Sequence, residues 1–134
     1  MTTVPAGSKL SVFIYYDHYE PIKDAYFGLL FETAAGMRIF WVQTRLQKGP
    51  LPDLPASGVI ACYIPRLPLT AGTYFLQPGC GTGTTQLDVV PRACQLHIIE
   101  ADVFGTGRLP HPLLALVLVD ADWEVLPEAE DVEQ

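Results

Sequence analysis

The amino-acid sequence predicts an all-β fold, an antiparallel β-sandwich of about seven to nine short strands. Apolar and aromatic runs of strand length recur about every 8 to 15 residues, and Gly- and Pro-containing turn signals separate them. No segment has a sustained helical period. The segment Ile64–Tyr74 adds a third observation, because Pro65 and Pro68 stiffen a connection of the kind that passes from one sheet of a sandwich to the other.

Alternation of apolar and polar residues identifies the first strands and assigns their faces, because neighbouring side chains of a strand point to opposite sides of the sheet. The first three predicted strands are Leu10–Asp17, Ala25–Thr33 and Arg38–Thr44, separated by turn signals after Glu20 and before Gly36. The side chains expected to face the core in the first two are Leu10, Val12, Ile14, Phe27, Leu29 and Phe31.

The later strands flank the proline-containing connection and follow it. The glycine-rich stretch Gly79–Thr85 is expected to be a turn. One sandwich domain is expected over residues 1–126, and the acidic segment 127–134 is expected to be a disordered tail. The remaining predicted strands are Val59–Ile64, Thr73–Gln77, Cys94–Ile99 and Leu114–Asp120, with a closing stretch at Trp123–Val125.

Composition excludes several classes of partner. The formal net charge is −7, and the eight Lys and Arg residues are scattered singly, so no basic stripe is available to neutralise phosphates of nucleic acid. The longest apolar run, Leu113–Val119, is too short to span a bilayer, and the N-terminus lacks the pattern of a signal peptide. The sequence therefore predicts a cytoplasmic protein with no nucleic-acid partner and no direct membrane insertion.

The sequence offers no catalytic constellation. Glycoside hydrolysis needs two carboxylates across a cleft, and nothing fixes the separation of the nearest candidates, so they are interpreted as solvated acids. No Gly-x-Ser-x-Gly elbow is present, and no serine or cysteine is placed beside a histidine by local sequence. A glycan-modifying enzyme is therefore weakly supported. The carboxylates considered are Asp17, Glu20 and Glu32.

The histidines and cysteines predict neither a metal site nor a cofactor. His18, His97 and His111 lack the spacing of metal ligands, and the glycines after Pro78 lack the Lys-Ser/Thr of a phosphate-binding loop. The three cysteines form no CxxC pair and are interpreted as structural thiols. We expect Cys62 and Cys94 to face the core and Cys80 to lie in a loop as the exposed or reactive thiol.

The outer strand faces carry more aromatic and amide side chains than a merely solvated surface requires. Aromatic rings stack on the apolar faces of sugar rings, and amides bind their hydroxyls, so the pattern indicates a non-catalytic carbohydrate-binding face. The same aromatics also suit protein interfaces, and a protein-interaction or dimerisation module is the alternative. The candidate binding residues, some of which are expected to share one sheet face, are Tyr15, Tyr26, Trp41, Gln43, Tyr63, Gln77 and His97.

Short stretches from about Gly7 to Val125 follow the order seen in a known family. In chain order, the stretches are Gly7–Leu10, Pro21–Gly28, Gly36 with Gln43–Arg45, Ile64–Leu69 with Gly72–Tyr74, Phe104–Gly107 and a closing strand at Trp123. This order resembles the C-terminal domain of Wzt, the ATPase subunit of ABC transporters that export O-antigen polysaccharide.

The resemblance implies an immunoglobulin-like or jelly-roll sandwich that binds the polysaccharide on the cytoplasmic side, at a modified non-reducing end. It also implies a homodimer, with the ATPase domain and membrane subunit of the transporter as partners and a location peripheral to the inner membrane. No Walker motif is present, and Met1–Ala6 leave little room for a first strand, so the chain is expected to be either a piece of a longer subunit or a stand-alone module. The chain departs from the family pattern at Phe40–Thr44 and Gly79–Gln86.

Overall fold

The computed structural model describes residues 1–127, which form eight β-strands and one short helix. The strands range from four to eleven residues, and the helix is a single turn between β4 and β5. The elements are β1 Thr2–Pro5, β2 Leu10–Asp17, β3 Ala25–Thr33, β4 Arg38–Gln43, α1 Thr44–Gln47, β5 Ser57–Ile64, β6 Gly72–Thr82, β7 Thr85–Val89 and β8 Cys94–Ile99.

The strands form two sheets packed face to face. The larger sheet has the order β1-β8-β6-β3-β4, with β7 paired to β6 beside this row, and the smaller sheet consists of β2 and β5. All strand pairs are antiparallel except β1 with β8, which is parallel. Leu29 and Phe31 of the larger sheet are buried against Val12 and Ile64 of the smaller one. The predicted all-β sandwich is confirmed, with one parallel pair in its larger sheet.

The alternation of apolar and polar residues predicted the bounds of the central strands well. β2, β3 and β8 have the predicted bounds, while β6 begins one residue before its predicted start and continues five residues past its predicted end. The predicted core positions of β3 and β6 are at most 3% exposed. These side chains are Phe27, Leu29, Phe31, Tyr74 and Leu76.

Two strands were not predicted, because each depends on a neighbour that is distant in sequence. β1 occupies Thr2–Pro5, where little room for a strand was expected, and it adds to the edge of β8. β7 begins at the last residue of the predicted turn Gly79–Thr85, and most of that predicted turn belongs to β6. A Cβ on Gly81 would clash with the Thr85 carbonyl oxygen, so this glycine permits close strand approach. The observed turn consists of Gly83, at φ +58°, and Thr84.

The predicted strand Leu114–Asp120 is wrong, and Trp123–Val125 is not a strand either. The first segment is tied to the Ile64–Tyr74 connection by a single bridge between Val117 and Leu69. The connection contains Pro65 and Pro68, which have no backbone N–H, so it cannot support a longer ladder. The predicted acidic tail lies outside the described residues except for Pro127.

The connection itself is a buried element, as its prolines suggested. Leu67 and Leu69 have no exposed surface, and Thr70 is 1% exposed. The Leu67 N–H donates to the Ser8 carbonyl oxygen at 2.8 Å, and the Thr70 N–H donates to the Leu116 carbonyl oxygen at 2.9 Å. The connection therefore joins the N-terminal turn and the C-terminal segment to the core.

The buried Tyr74 hydroxyl donates to the Thr70 carbonyl oxygen at 2.8 Å and secures the exit of the connection. We expect Tyr74→Phe to lower the free energy of unfolding by about 1–2 kcal/mol, because a buried carbonyl loses its partner while the ring remains. Urea titration measures this change. Tyr15→Phe, at a side chain 78% exposed, is the matched control and should leave the midpoint unchanged. Equal midpoints for the two variants would contradict this role of Tyr74.

Candidate functional site

The outer face of the larger sheet contains a depression of about 460 Å³. Strands β3, β4, β6 and β7 all contribute to it, so it extends across this part of the sheet, from edge strand β4 over β3 and β6 to β7. Its lining combines aromatic rings, three amides and one guanidinium. The lining residues are Tyr26, Gly28, Leu30, Arg38, Trp41, Gln43, Gln77, Gly79, Cys80, Gln86 and Val89.

The floor of the depression exists because two glycines face each other across neighbouring strands. Gly28 of β3 pairs directly with Gly79 of β6. A Cβ on Gly28 would lie 3.1 Å from Nε1 of Trp41, and one on Gly79 would lie 3.4 Å from Cγ2 of Val89. Glycine in a strand interior often marks a site where another group approaches the backbone closely. The missing side chains therefore let Trp41 and Val89 lie close to the backbone of the sheet and keep the floor of the depression low.

A β-bulge determines which side chains β4 presents to the depression. Phe31 pairs with Phe40, but the next residue of β3, Glu32, pairs with Arg38, so Ile39 is the extra residue. Ile39 and Phe40 both pack toward the core. The extra residue reverses the alternation, and Arg38 therefore lies on the same outer face as Trp41.

The two aromatic side chains of the depression differ in accessibility. The Tyr26 ring crosses over Gly81, and the Arg45 guanidinium lies 4.5 Å from its centroid. Arg45 is held there by the Asp24 carboxylate at 3.3 Å. Trp41 is 50% exposed, so its indole is the ring available for stacking on a ligand.

The structure brings four of the seven candidate residues together. Tyr26, Trp41, Gln43 and Gln77 line the depression. His97 lies on the same sheet face but outside the depression, paired with Thr73 on β6. The remaining two, Tyr15 and Tyr63, are on the outer face of the smaller sheet, on the opposite side of the sandwich.

Sequence reasoning missed several lining residues. Arg38 was missed because strict alternation places it on the same side as Phe40, and only the bulge reverses it. Gln86 and Val89 were missed because no strand was predicted between Gln77 and Cys94. The two glycines inside strands were the available signal for the floor of the depression.

Comparison with known proteins identifies the family. Residues 1–109 match the family described as the Wzt C-terminal domain. The chain belongs to the Wzt C-terminal domain family. A crystal structure titled as the C-terminal domain of Wzt superposes with a TM-score of 0.68 at 14% identity, covering 93% of this chain and 73% of that one. This likeness shows a shared fold. A separate comparison with curated proteins found no match.

Wzt C-terminal domains are known as non-catalytic domains that bind carbohydrate. They belong to ABC transporters associated with O-antigen. Both segments of this Wzt domain that depart from the family pattern contribute to the depression. Phe40–Thr44 supplies Trp41 and Gln43, and Gly79–Gln86 supplies part of the floor and the Gln86 amide.

The described part of this Wzt domain contains no group of three or more His, Cys, Asp and Glu side chains that could hold a metal ion. Each histidine instead has a local hydrogen-bond partner. Nδ1 of His97 lies 3.4 Å from the Thr73 hydroxyl, while His18 and His111 contact backbone groups two residues away. No helix within residues 1–127 is long and apolar enough to cross a membrane.

The cysteine expectations need correction. Cys80 is a half-buried residue of β6, whereas Cys94 is exposed. Cys94 points to the same inner side of β8 as the buried Leu96 and Ile98. The two-stranded sheet is too narrow to cover the start of β8, so Cys94 stays exposed. An open cleft of about 630 Å³ between the sheets remains there, and both Cys80 and Cys94 line it.

Cys94 is expected to be the first thiol of this Wzt domain to react with iodoacetamide at about pH 8. Burial raises the pKa of the Cys62 thiol, and burial together with the Asp88 carboxylate raises the pKa of Cys80 despite a lowering backbone hydrogen bond. At the pH of the reaction, a smaller fraction of these two thiols is therefore ionised than in an ordinary cysteine. Mass spectrometry of timed samples identifies the modified residue, and Cys94→Ser should remove the fast phase. Faster modification of Cys80 than of Cys94 would contradict this assignment.

Proposed function

We propose that this domain binds the non-reducing end of an O-antigen-type polysaccharide in the depression on the outer face of the larger sheet, without catalysing a reaction. The half-exposed Trp41 indole beside a floor without side chains carries the proposal. A sugar ring could stack on the indole while its edge rests on the glycines. The choice of a chain end as the ligand follows the resemblance to the family, in which a modified non-reducing end is recognised.

The polar side chains of the depression support this proposal. Gln43, Gln77 and Gln86 come from three different strands, and each amide can both donate and accept hydrogen bonds. Sugar hydroxyls also donate and accept, so amides at three positions could distinguish the orientation of neighbouring hydroxyls. Affinity for a single sugar should be modest, because a shallow polar site loses much of its interaction energy to desolvation.

In this proposal the domain acts within a transporter. Its polysaccharide is recognised on the cytoplasmic side of the inner membrane, and its partners are an ATPase domain and a membrane subunit. Family membership supports this context. Two ATPase domains work as a pair in such a transporter, so a homodimer would present two depressions to the exported chains.

A protein-interaction or dimerisation module is the second candidate function. The outer face of the smaller sheet favours it, because this face is aromatic and includes no lining residue of the depression. Phe13, Tyr15 and Tyr63 are 52%, 78% and 59% exposed.

Sedimentation of a variant with both Phe13→Ser and Tyr63→Ser tests this second function. Loss of a dimer with glycan binding intact would assign association to this face.

Trp41→Ala should weaken glycan binding about tenfold, because the variant loses the stacking surface while the sheet remains paired. Binding is first detected on an array of bacterial polysaccharides and then titrated by calorimetry. Trp123→Ala is the matched control, since Trp123 is 92% exposed in the C-terminal segment, and it should bind like the parent protein. No binding of the parent protein to any polysaccharide of its own organism would refute the proposed function.

Gly79→Val should abolish glycan binding while the urea midpoint stays within experimental error or rises. The new side chain fills the floor of the depression, and valine suits a strand better than glycine does. Ala61→Val provides the comparison, because it places the same new side chain at an exposed position of β5 on the other sheet. Unchanged glycan affinity in Gly79→Val would place the site elsewhere.

A further inference from the structure

The outer face of the larger sheet has a charge opposite to that of the whole protein. The chain has 15 acidic and eight basic side chains. Three of the eight lie over this face, because Arg38 lines the depression, Arg45 covers Tyr26 and Arg92 covers Phe75. Among residues 1–127, the acidic side chain that strand register places on the same face is Glu32.

Two of these three arginines are already engaged. Arg45 is paired with the Asp24 carboxylate at 3.3 Å and donates to the Asp24 carbonyl oxygen. Arg92 lies 3.6 Å from the Phe75 ring centroid and donates to the carbonyl oxygen of Ala34 at 3.3 Å. Both side chains therefore hold parts of the protein in place.

Arg38 differs from the other two. Within the described residues the ion pairs are Arg45–Asp24 and Arg66–Asp120, and Arg38 is in neither. Glu32 is its register partner at the bulge, but the two side chains do not form an ion pair. Arg38 is exposed and lines the depression, so its guanidinium is available to a ligand.

The rest of the lining is also rich in donors. The Trp41 indole N–H and the Arg38 guanidinium can donate hydrogen bonds but cannot accept them. Nε1 of Trp41 lies above the glycine floor, as its 3.1 Å distance from a Cβ built on Gly28 shows. No Asp or Glu is among the lining residues. The glutamine amides of the lining can donate or accept, so a ligand group that pairs with Arg38 and Trp41 should supply acceptors, and negative charge would match Arg38.

We propose that the depression binds a saccharide unit that carries a negatively charged substituent, either a carboxylate or a phosphate, and that Arg38 pairs with this charge. The inference rests on the proposed carbohydrate function and specifies its ligand class. The planar guanidinium can form two parallel hydrogen bonds to a carboxylate or phosphate, which adds geometric selectivity to charge attraction. The net negative charge of the rest of the protein confines this attraction to the arginine-bearing face.

The test uses the Trp41 indole as a reporter. The chain has two tryptophans, so a proton–nitrogen correlation spectrum shows two indole signals, and Trp123→Phe assigns them. The protein is titrated with methyl glucoside and with methyl glucuronide, which differ only in the charged group, and then with glucose phosphate. The two charged sugars should shift the Trp41 signal at concentrations about tenfold or more below those of the neutral sugar. The comparison between them distinguishes a carboxylate ligand from a phosphate ligand.

Arg38→Gln should remove the preference for charged sugars, so that methyl glucuronide and glucose phosphate no longer shift the Trp41 signal at lower concentrations than methyl glucoside does. Arg108→Gln is the matched control, because it changes the net charge equally in an exposed segment outside the depression, and it should retain the preference. Added salt should reduce the preference in the parent protein, because screening weakens an exposed charge pair.

The outcomes separate this inference from the proposed function. Equal affinity for neutral and charged sugars, or equal loss of preference in both arginine variants, would overturn the assignment of an anionic ligand and leave carbohydrate binding intact. Acetate or inorganic phosphate binding as tightly as the charged sugars would overturn the saccharide component. If none of the sugars shifts the Trp41 signal, both the proposed site and this inference are wrong.

Discussion

The buried crossover Leu67–Thr70 is the constraint on which the arrangement of the two sheets depends. It carries the chain from β5 in the smaller sheet to β6 in the larger one, and its backbone groups bind the Ser8 turn and the segment around Leu116. Buried backbone polar groups need such partners, because leaving one unpaired costs about 1–3 kcal/mol. The crossover therefore fixes β6, and with it the positions of Gln77 and Gly79.

The candidate site depends on two local departures from regular sheet structure. The facing glycines Gly28 and Gly79 remove side chains from the middle of the sheet, and the bulge at Ile39 reverses the parity of β4. A regular sheet of the same strands would place bulky side chains above the floor and turn Arg38 inward. The depression is thus formed by backbone geometry and then given its chemistry by Trp41, Arg38 and the three glutamines.

The fold is retained at low sequence identity. At 14% identity to the crystal structure of a Wzt C-terminal domain, the sandwich is still formed. The stretches Phe40–Thr44 and Gly79–Gln86, which were expected from the sequence to depart from the family pattern, both supply lining residues of the depression. Side chains on the outer face can change without altering the core, since function resides in sites carried by folds.

The sequence by itself determined the sandwich class, the bounds of β2, β3 and β8 and the core faces of the central strands, because alternating side chains report burial directly. It also supplied four lining residues, whose aromatic and amide character is visible without a structure. It failed for Leu114–Asp120, where the apolar alternation was real but the proline-containing partner could not support a ladder. The expected burial of Cys94 was also wrong, because the width of the opposing sheet decides whether an inward-facing residue is covered.

Only the tertiary structure decided which candidates share a site. Tyr15 and Tyr63 are as aromatic as Trp41, yet they lie on the other sheet, and no local pattern distinguishes one outer face from another. Arg38, Gln86 and Val89 joined the site through a bulge and through the pairing of β7 with β6. Burial is a property of one strand and is encoded locally, whereas a binding site is formed by several strands whose pairing and register arise from contacts between residues distant in sequence.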